Sequence, residues 1–337
     1  MEEGGHANDR IIAVMTSGAR IVEWAHLTAR AHAALDLATT VVVVTCSPLE
    51  VHGPHLPLLA DVGEAEGLFG RALARMAERD PRLTFVRLPP VWVATDVVPQ
   101  RGSVRFRPAT VVRVLEDLGT SVARQGLGDI WVGNFHGGPR HILAIEEACA
   151  RVQRRTGARM ISVFSLLARR LTGGSSDLAE RLGGLGGIST EELRGDAHGG
   201  LIETAMLLHL FGGDVDPAYR TLPPRSIEIL LAERGRPPLQ KGPRPTVLEL
   251  LRALPYKLRY FETETYAGAP AKATPELGRQ YLEVLAGEAA QALGELRAVA
   301  IGPRDCHSPL WPYRHLLMSR PLGWLFEKLV ATRPSPV

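Results

Sequence analysis

Four side chains able to hold a cation or move a proton, Glu50, His52, His55 and Asp61, fall between positions 50 and 61. They follow an apolar β-branched run, Val41 to Val44, that breaks at Ser47-Pro48. Glu50 and His52 are two apart, so in an extended segment both project to the same side. A carboxylate, an imidazole and a second carboxylate leaving the end of a buried strand suit a divalent metal. A polar surface loop has the same composition, and spacing alone leaves both readings open. Two further segments carry reactive side chains. One is Gly133-Asn134-Phe135-His136-Gly137-Gly138, after a brief apolar strand. The other is Asp196-Ala197-His198-Gly199-Gly200, ahead of an apolar helix from Leu201 to Phe211. Glu203, in the first turn of that helix, either complements the helix dipole or reaches an inward-facing cation.

The pattern of elements says how these segments meet. Ile21 to Leu35 reads as a short helix feeding a strand at 40–46. Helical spacing of Leu68, Ala72 and Met76 predicts a helix over 62–79, and Leu83 to Leu88 alternates as a strand. A short strand and a loop fill 91–108; a helix at 109–125 stops at Gly126. Then come strand Asp129–Val132, helix 140–156 and strand Met160–Phe164. Such alternation predicts an α/β fold, a three-layer sandwich with a mostly parallel central sheet and helices on both faces. Ligands collect at the carboxyl ends of strands in such sheets, so the segments holding Glu50 and His136 should converge at one edge.

The expected organisation is one α/β domain over 1–300, with insertions at about 172–195 and 214–265, and a C-terminal extension over 301–337. The Gly-rich stretch 172–195 reads as a lid-like loop or a surface excursion. The second insertion is rich in proline and arginine, with one helical piece at 246–254. Leu277, Tyr281, Leu285, Ala289 and Leu293 mark a long helix over 273–297. The aromatic and basic tail reads as packing on the core or on a sister subunit; contact with a membrane surface is the alternative.

The 337 residues carry a formal charge of +3, which is small for the length and gives no reason to expect a nucleic-acid partner. Cys46, Cys149 and Cys306 are widely separated, which suits a reducing compartment and excludes a cysteine-only zinc site. The acidic N-terminus lacks the basic start and apolar run of a signal peptide, and no apolar stretch is long enough to span a bilayer. A cytoplasmic protein is expected.

Together the three reactive segments resemble the creatininase (creatinine amidohydrolase) family. Its GSxEQHGPHLPLxTD signature is matched in most positions from Ser47 to Asp61, including Glu50, His52, Gly53, Pro54, His55, Leu56, Pro57 and Leu58. The family's NGHGGN is similar to Asn134–Pro139, and its DxHAGxxETS to Asp196–Ala205. Ala267–Gly278 resembles a GxPxxATxxxG stretch before the family's last helix.

The resemblance implies a metal-dependent amidohydrolase with two divalent ions (zinc, manganese or iron). Glu50, Asp61 and His136 would hold one ion; His52 and the shared Asp61 would hold the second. One bridging carboxylate can serve two cations about 3.5–4 Å apart. Creatininase takes a further glutamate two positions after the histidine matched by His136; Gly138 stands there, and Glu203 is the expected replacement. His198 matches the active-site histidine, and would move a proton or steady an oxyanion. His55 is expected either to support the metal ligands from outside or to stabilise the loop, and His141 and His209 to be structural. Phe135, in place of a small glycine, is expected to add bulk near the metals, and Pro139 removes a side-chain hydrogen-bonding group. The aromatic residues of the creatinine pocket have no clear counterparts, so the expected substrate is another small-molecule or modified-peptide amide. A peptidase trimming a modified precursor peptide, or a non-catalytic ligand-binding member, are the alternatives. A homo-oligomer is expected, since other members form hexamers.

Overall fold

The computed structural model describes residues 21–173, 178–235, 256, 259–261, 263–319 and 321–324. Five strands, β1 (Ile21–Glu23), β2 (Thr40–Thr45), β3 (Thr84–Arg87), β4 (Asp129–Gly133) and β5 (Arg159–Ser162), form one sheet. Its order is β1-β3-β2-β4-β5, and every pairing is parallel. The longer helices are α1 (Ala60–Arg79), α2 (Pro108–Ala123), α3 (Pro139–Thr156), α4 (Val163–Gly173), α5 (Leu201–Phe211) and α6 (Pro275–Arg297).

Alternation along the strands divides the core into two apolar layers. Val41, Val43, Phe85, Trp131 and Ile161 face α1, α4, α5 and α6. Val42, Val44, Ile130, Val132 and Met160 face α2 and α3. The result is the three-layer sandwich that the strand–helix alternation implied. The chain leaves β2 toward the α1 face and moves to β3 on one side; it leaves β4 toward the α3 face and moves to β5 on the other. Neighbouring β2 and β4 therefore send their following loops apart, which opens a crevice at their carboxyl ends.

Several expectations need correction. Residues 21–35 are not one helix. Ile21–Glu23 is an edge strand paired with β3, and only Ala29–Ala33 is α-helical. The cause is tertiary: β3 offers an open edge, and Arg87 on it binds Glu23 at 3.0 Å. Arg87 also pairs with Glu66 of α1, which accepts a hydrogen bond from Thr45, so the edge is tied to β2. Val91 makes only an isolated bridge to Cys46, and α4 begins at Val163. The Gly-rich stretch is a packed element where it is described. Short helices at Leu178–Leu182 and Thr190–Arg194 bury Leu182 and Leu193 in the α6 layer, and the link between them buries Ile188. Three anchors so widely spaced give no periodic signal. The helix expected at 246–254 lies outside the described residues. In the tail, Cys306 is buried and the Ser308 N–H donates to Glu146 of α3, so this part packs on the core. No described helix is long and apolar enough to cross a membrane.

Trp131, wholly buried in the central strand β4, should be the most costly single residue of this core to truncate. Trp131→Ala is expected to lose about 3–5 kcal/mol in urea unfolding. A loss below about 1 kcal/mol would contradict the packing described.

Candidate metal centre

The crevice beyond β2 and β4 gathers Glu50, His52, Asp61 and His136, all buried. Ser47 and Asn134 lace the two loops together. The Ser47 hydroxyl donates to Asn134 Oδ1 at 2.9 Å, and the Phe135 N–H donates to Ser47 Oγ at 3.2 Å. Asn134 also folds its own turn, donating to the His136 carbonyl at 2.7 Å and accepting the His136 N–H at 3.0 Å. Asp61 comes from the first turn of α1.

Each histidine has one ring nitrogen tied to a backbone carbonyl. His52 Nδ1 lies 3.1 Å from the Glu50 carbonyl oxygen, and His136 Nε2 lies 3.1 Å from that of Thr95. A donor role there leaves His52 Nε2 and His136 Nδ1 with free lone pairs, the arrangement that fixes metal-binding tautomers. Both free nitrogens face one carboxylate oxygen: Asp61 Oδ2 is 3.5 Å from His52 Nε2 and 3.8 Å from His136 Nδ1. Glu50 Oε2 is 2.9 Å from His136 Nδ1, while the other Glu50 oxygen accepts the Val98 N–H. Glu203 Oε2 is 3.7 Å from His52 Nε2 and accepts the Gly199 N–H at 2.6 Å.

His198 stacks on His52, ring centroids 4.0 Å apart, and its Nε2 lies 2.8 Å from the Val51 carbonyl oxygen. The close approach needs Gly199. Its φ is +55°, and a Cβ there would lie 2.9 Å from the His52 carbonyl carbon. Two trios bring ligand atoms within 4.8 Å of one another: Glu50, Asp61 and His136, and Glu50, His52 and His198. His55 is elsewhere, with Nε2 2.7 Å from Thr204 Oγ1, and His141 Nε2 lies 3.0 Å from the Cys46 carbonyl oxygen. His209 sits 2.8 Å from Arg71.

The electrostatics are those of a site with too much negative charge. Burial opposes a proton on His136, yet Glu50 and Asp61 lift the imidazole to about 9. Burial raises Glu50, but His136 overrides it and holds the carboxyl below the usual range. Burial raises Asp61, against the pull of His52, and raises Glu203 to about 7. Burial and the nearby His52 lower His198 to about 3. Among the described residues, no lysine or arginine pairs with Glu50, Asp61 or Glu203. Glu50 Oε2, His52 Nε2 and Asp61 Oδ2 are buried without hydrogen-bond partners. Orphaned acceptors converging on one space are what a cation would satisfy, so the residues fit a divalent ion. Of the two expected ligand sets, Glu50, Asp61 and His136 bring their ligand atoms within 4.8 Å of one another, while His52 is grouped with Glu50 and His198.

Three features escaped the sequence reading. Asp96, with φ of +62°, accepts from the Arg140 backbone N–H and from its guanidinium, each at 2.6 Å, and so fixes Thr95 against His136. At Gly138 a Cβ would lie 2.8 Å from Asp96 Cβ and 3.0 Å from His136 Cδ2. A side chain at 138 would have to displace the His136 ring or Asp96, a steric reason for the glycine that motif comparison cannot supply. Phe261 meets the His198 ring edge-on at 5.3 Å, giving an aromatic wall from a segment with no motif. Phe135, expected to crowd the metals, instead packs on the α1-side core with Phe164 at 6.5 Å. The N1 proline of α3, Pro139, sits where no backbone donor is needed.

A family model described as creatinine amidohydrolase matches residues 25–293. No curated protein matches the sequence. Solved structures do. A creatininase has 19% identity and a TM-score of 0.54, covering 83% of this chain and 98% of its own. A putative creatinine amidohydrolase from Bacteroides fragilis NCTC 9343 has 18% identity and a TM-score of 0.53, covering 82% of this chain and 97% of its own. A manganese form of creatininase has 20% identity and a TM-score of 0.53, covering 81% of this chain and 98% of its own. With the family model spanning all three reactive segments, the chain belongs to the creatininase family.

Proposed function

We propose that this protein is an amidohydrolase with two divalent ions that cleaves a C–N amide bond of a small molecule or modified peptide. The observation that carries the reading is Asp61 Oδ2, unpartnered and set between His52 Nε2 and His136 Nδ1. A carboxylate so placed serves two cations at once. Glu50 and His136 would hold one ion with it, and His52 and Glu203 would hold the other. When bound, the ions polarise the amide carbonyl and make hydroxide available near neutral pH. Related solved structures include manganese and zinc–zinc forms of creatininase, which supports this class of ion.

The protein's own groups then divide the work. Backbone carbonyls of Glu50 and Thr95 hold the two ligand imidazoles in orientation. His198 is neutral, and with Nε2 donating to Val51 its other nitrogen has a lone pair. It takes a proton from the attacking water and delivers it to the leaving nitrogen. Phe261 backs the His198 ring and excludes solvent from one side of it.

Metal-reconstituted protein, assayed against cyclic amides and formamides by amine release, tests the activity; failure on every amide class would overturn the reading. Asp61→Ala should lose both ions by elemental analysis, and two tightly held ions in that variant would contradict the shared carboxylate. His198→Ala should keep its metal content while kcat falls by about 10²–10⁴; an unchanged kcat would remove His198 from the chemistry. Gly138→Ala forces a Cβ against the His136 ring, and should weaken binding of the Glu50–His136 ion by about 10–100-fold. Wild-type affinity in that variant would show that the turn yields.

A further inference from the structure

A further buried acid, Glu64, lies near the centre. Glu64 lies three residues after Asp61 on α1, so both side chains leave the same face one turn apart. It is wholly buried, and neither carboxylate oxygen has a hydrogen-bond partner. Other buried acids remote from the centre are compensated. Glu66 meets Thr45 and Arg87, Asp129 meets Arg159, and Glu146 accepts the Ser308 N–H. Glu64 alone among the described buried carboxylates has both oxygens without a partner.

Its charged surroundings sharpen the point. The groups that act on Glu64 are Glu203, Asp61, His52 and Asp196, three carboxylates and one imidazole. Burial, then Glu203 and Asp61, push its carboxyl well above the usual range. A buried acid among acids, with no lysine or arginine paired to it among the described residues, is strongly disfavoured unless a cation or a proton balances it. His52 and Asp61, two of these neighbours, hold the orphaned atoms assigned to the second ion. That ion lacks the glutamate expected two residues after His136, where any side chain would displace the His136 ring or Asp96.

We propose that Glu64 is a metal-binding residue of this chain, closing the shell of the ion held by His52, Asp61 and Glu203 in place of the ligand missing at Gly138. The assignment rests on the two-ion reading above and extends it. The ligand set is thereby moved from the turn after β4 to the first two turns of α1. The charge of the second site then comes from one rigid helix and α5.

Calorimetric titration of the metal-free full chain with Zn²⁺, paired with thermal unfolding with and without Zn²⁺, tests this. Wild type should bind two ions. Glu64→Gln should keep one at wild-type affinity and weaken the other at least tenfold. Its metal-free form should be no less stable than metal-free wild type, because a neutral amide of the same size replaces a buried carboxyl that is held protonated without metal, and the Zn²⁺-induced rise in Tm should shrink. Two ions at unchanged affinity, or a lower metal-free Tm with an undiminished Zn²⁺ response, would overturn the assignment and mark Glu64 as structural. Glu64→Asp keeps the charge on a shorter arm and should bind the second ion with intermediate affinity. If the Gln variant does not fold, unchanged two-site binding in the Asp variant overturns the assignment. Wild type that binds no Zn²⁺ would overturn the two-ion reading itself and this assignment with it; wild type with two ions and an indifferent Glu64 overturns only the assignment.

Discussion

Buried negative charge without a built-in counter-charge is the constraint on which this structure depends. Glu50, Asp61 and Glu64 are buried, Glu203 is nearly so, and none of them pairs with a lysine or arginine among the described residues. In a low-dielectric interior such a cluster is tolerated only if protons or cations balance it. The elevated His136 imidazole shows one response available to the protein by itself: with Glu50 and Asp61 alongside, it is driven to hold a proton. A divalent cation would displace that proton and satisfy the orphaned oxygens together, which links metal binding to pH through the same atoms.

The fold accommodates the cluster by placing it where the strand order reverses, between β2 and β4. Loops after β2 and β4 diverge onto opposite faces, so their ends leave a space that no strand or helix fills. Ser47 and Asn134 hold that space at a fixed width, while Glu50, Val51 and Thr95 lend carbonyls to His52, His198 and His136. None of these carbonyl contacts depends on side-chain identity at the donating residue. A family can therefore vary Val51 and Phe135 while the imidazoles keep their orientation.

This division explains what the sequence disclosed. Apolar runs and alternation identified β2 to β5, and helical patterns identified α1, α2, α3, α5 and α6, while α4 from Val163 was not read as a helix. Motifs brought Glu50, His52, Asp61, His136 and Glu203 to attention, and folding places them in one crevice. Edge strand β1 was illegible because three residues carry no pattern, and only the open side of β3 makes them a strand. Asp96 was illegible for a related reason. Its left-handed backbone and its hold on Arg140 exist only once β4 and the loop after β3 are adjacent. Glu64 sat in plain view within a helical run, where an acidic residue ordinarily signals a solvated face. Its burial reverses that meaning.

Anomalous diffraction from metal-soaked crystals, collected on both sides of the zinc edge, would test the central claim most directly. The account requires two anomalous peaks flanking the Asp61 carboxylate, one beside Glu50 and His136 and the other beside His52. A single peak, or density remote from Asp61, would show that the acids of this crevice are balanced in another way, and the two-ion centre would be wrong.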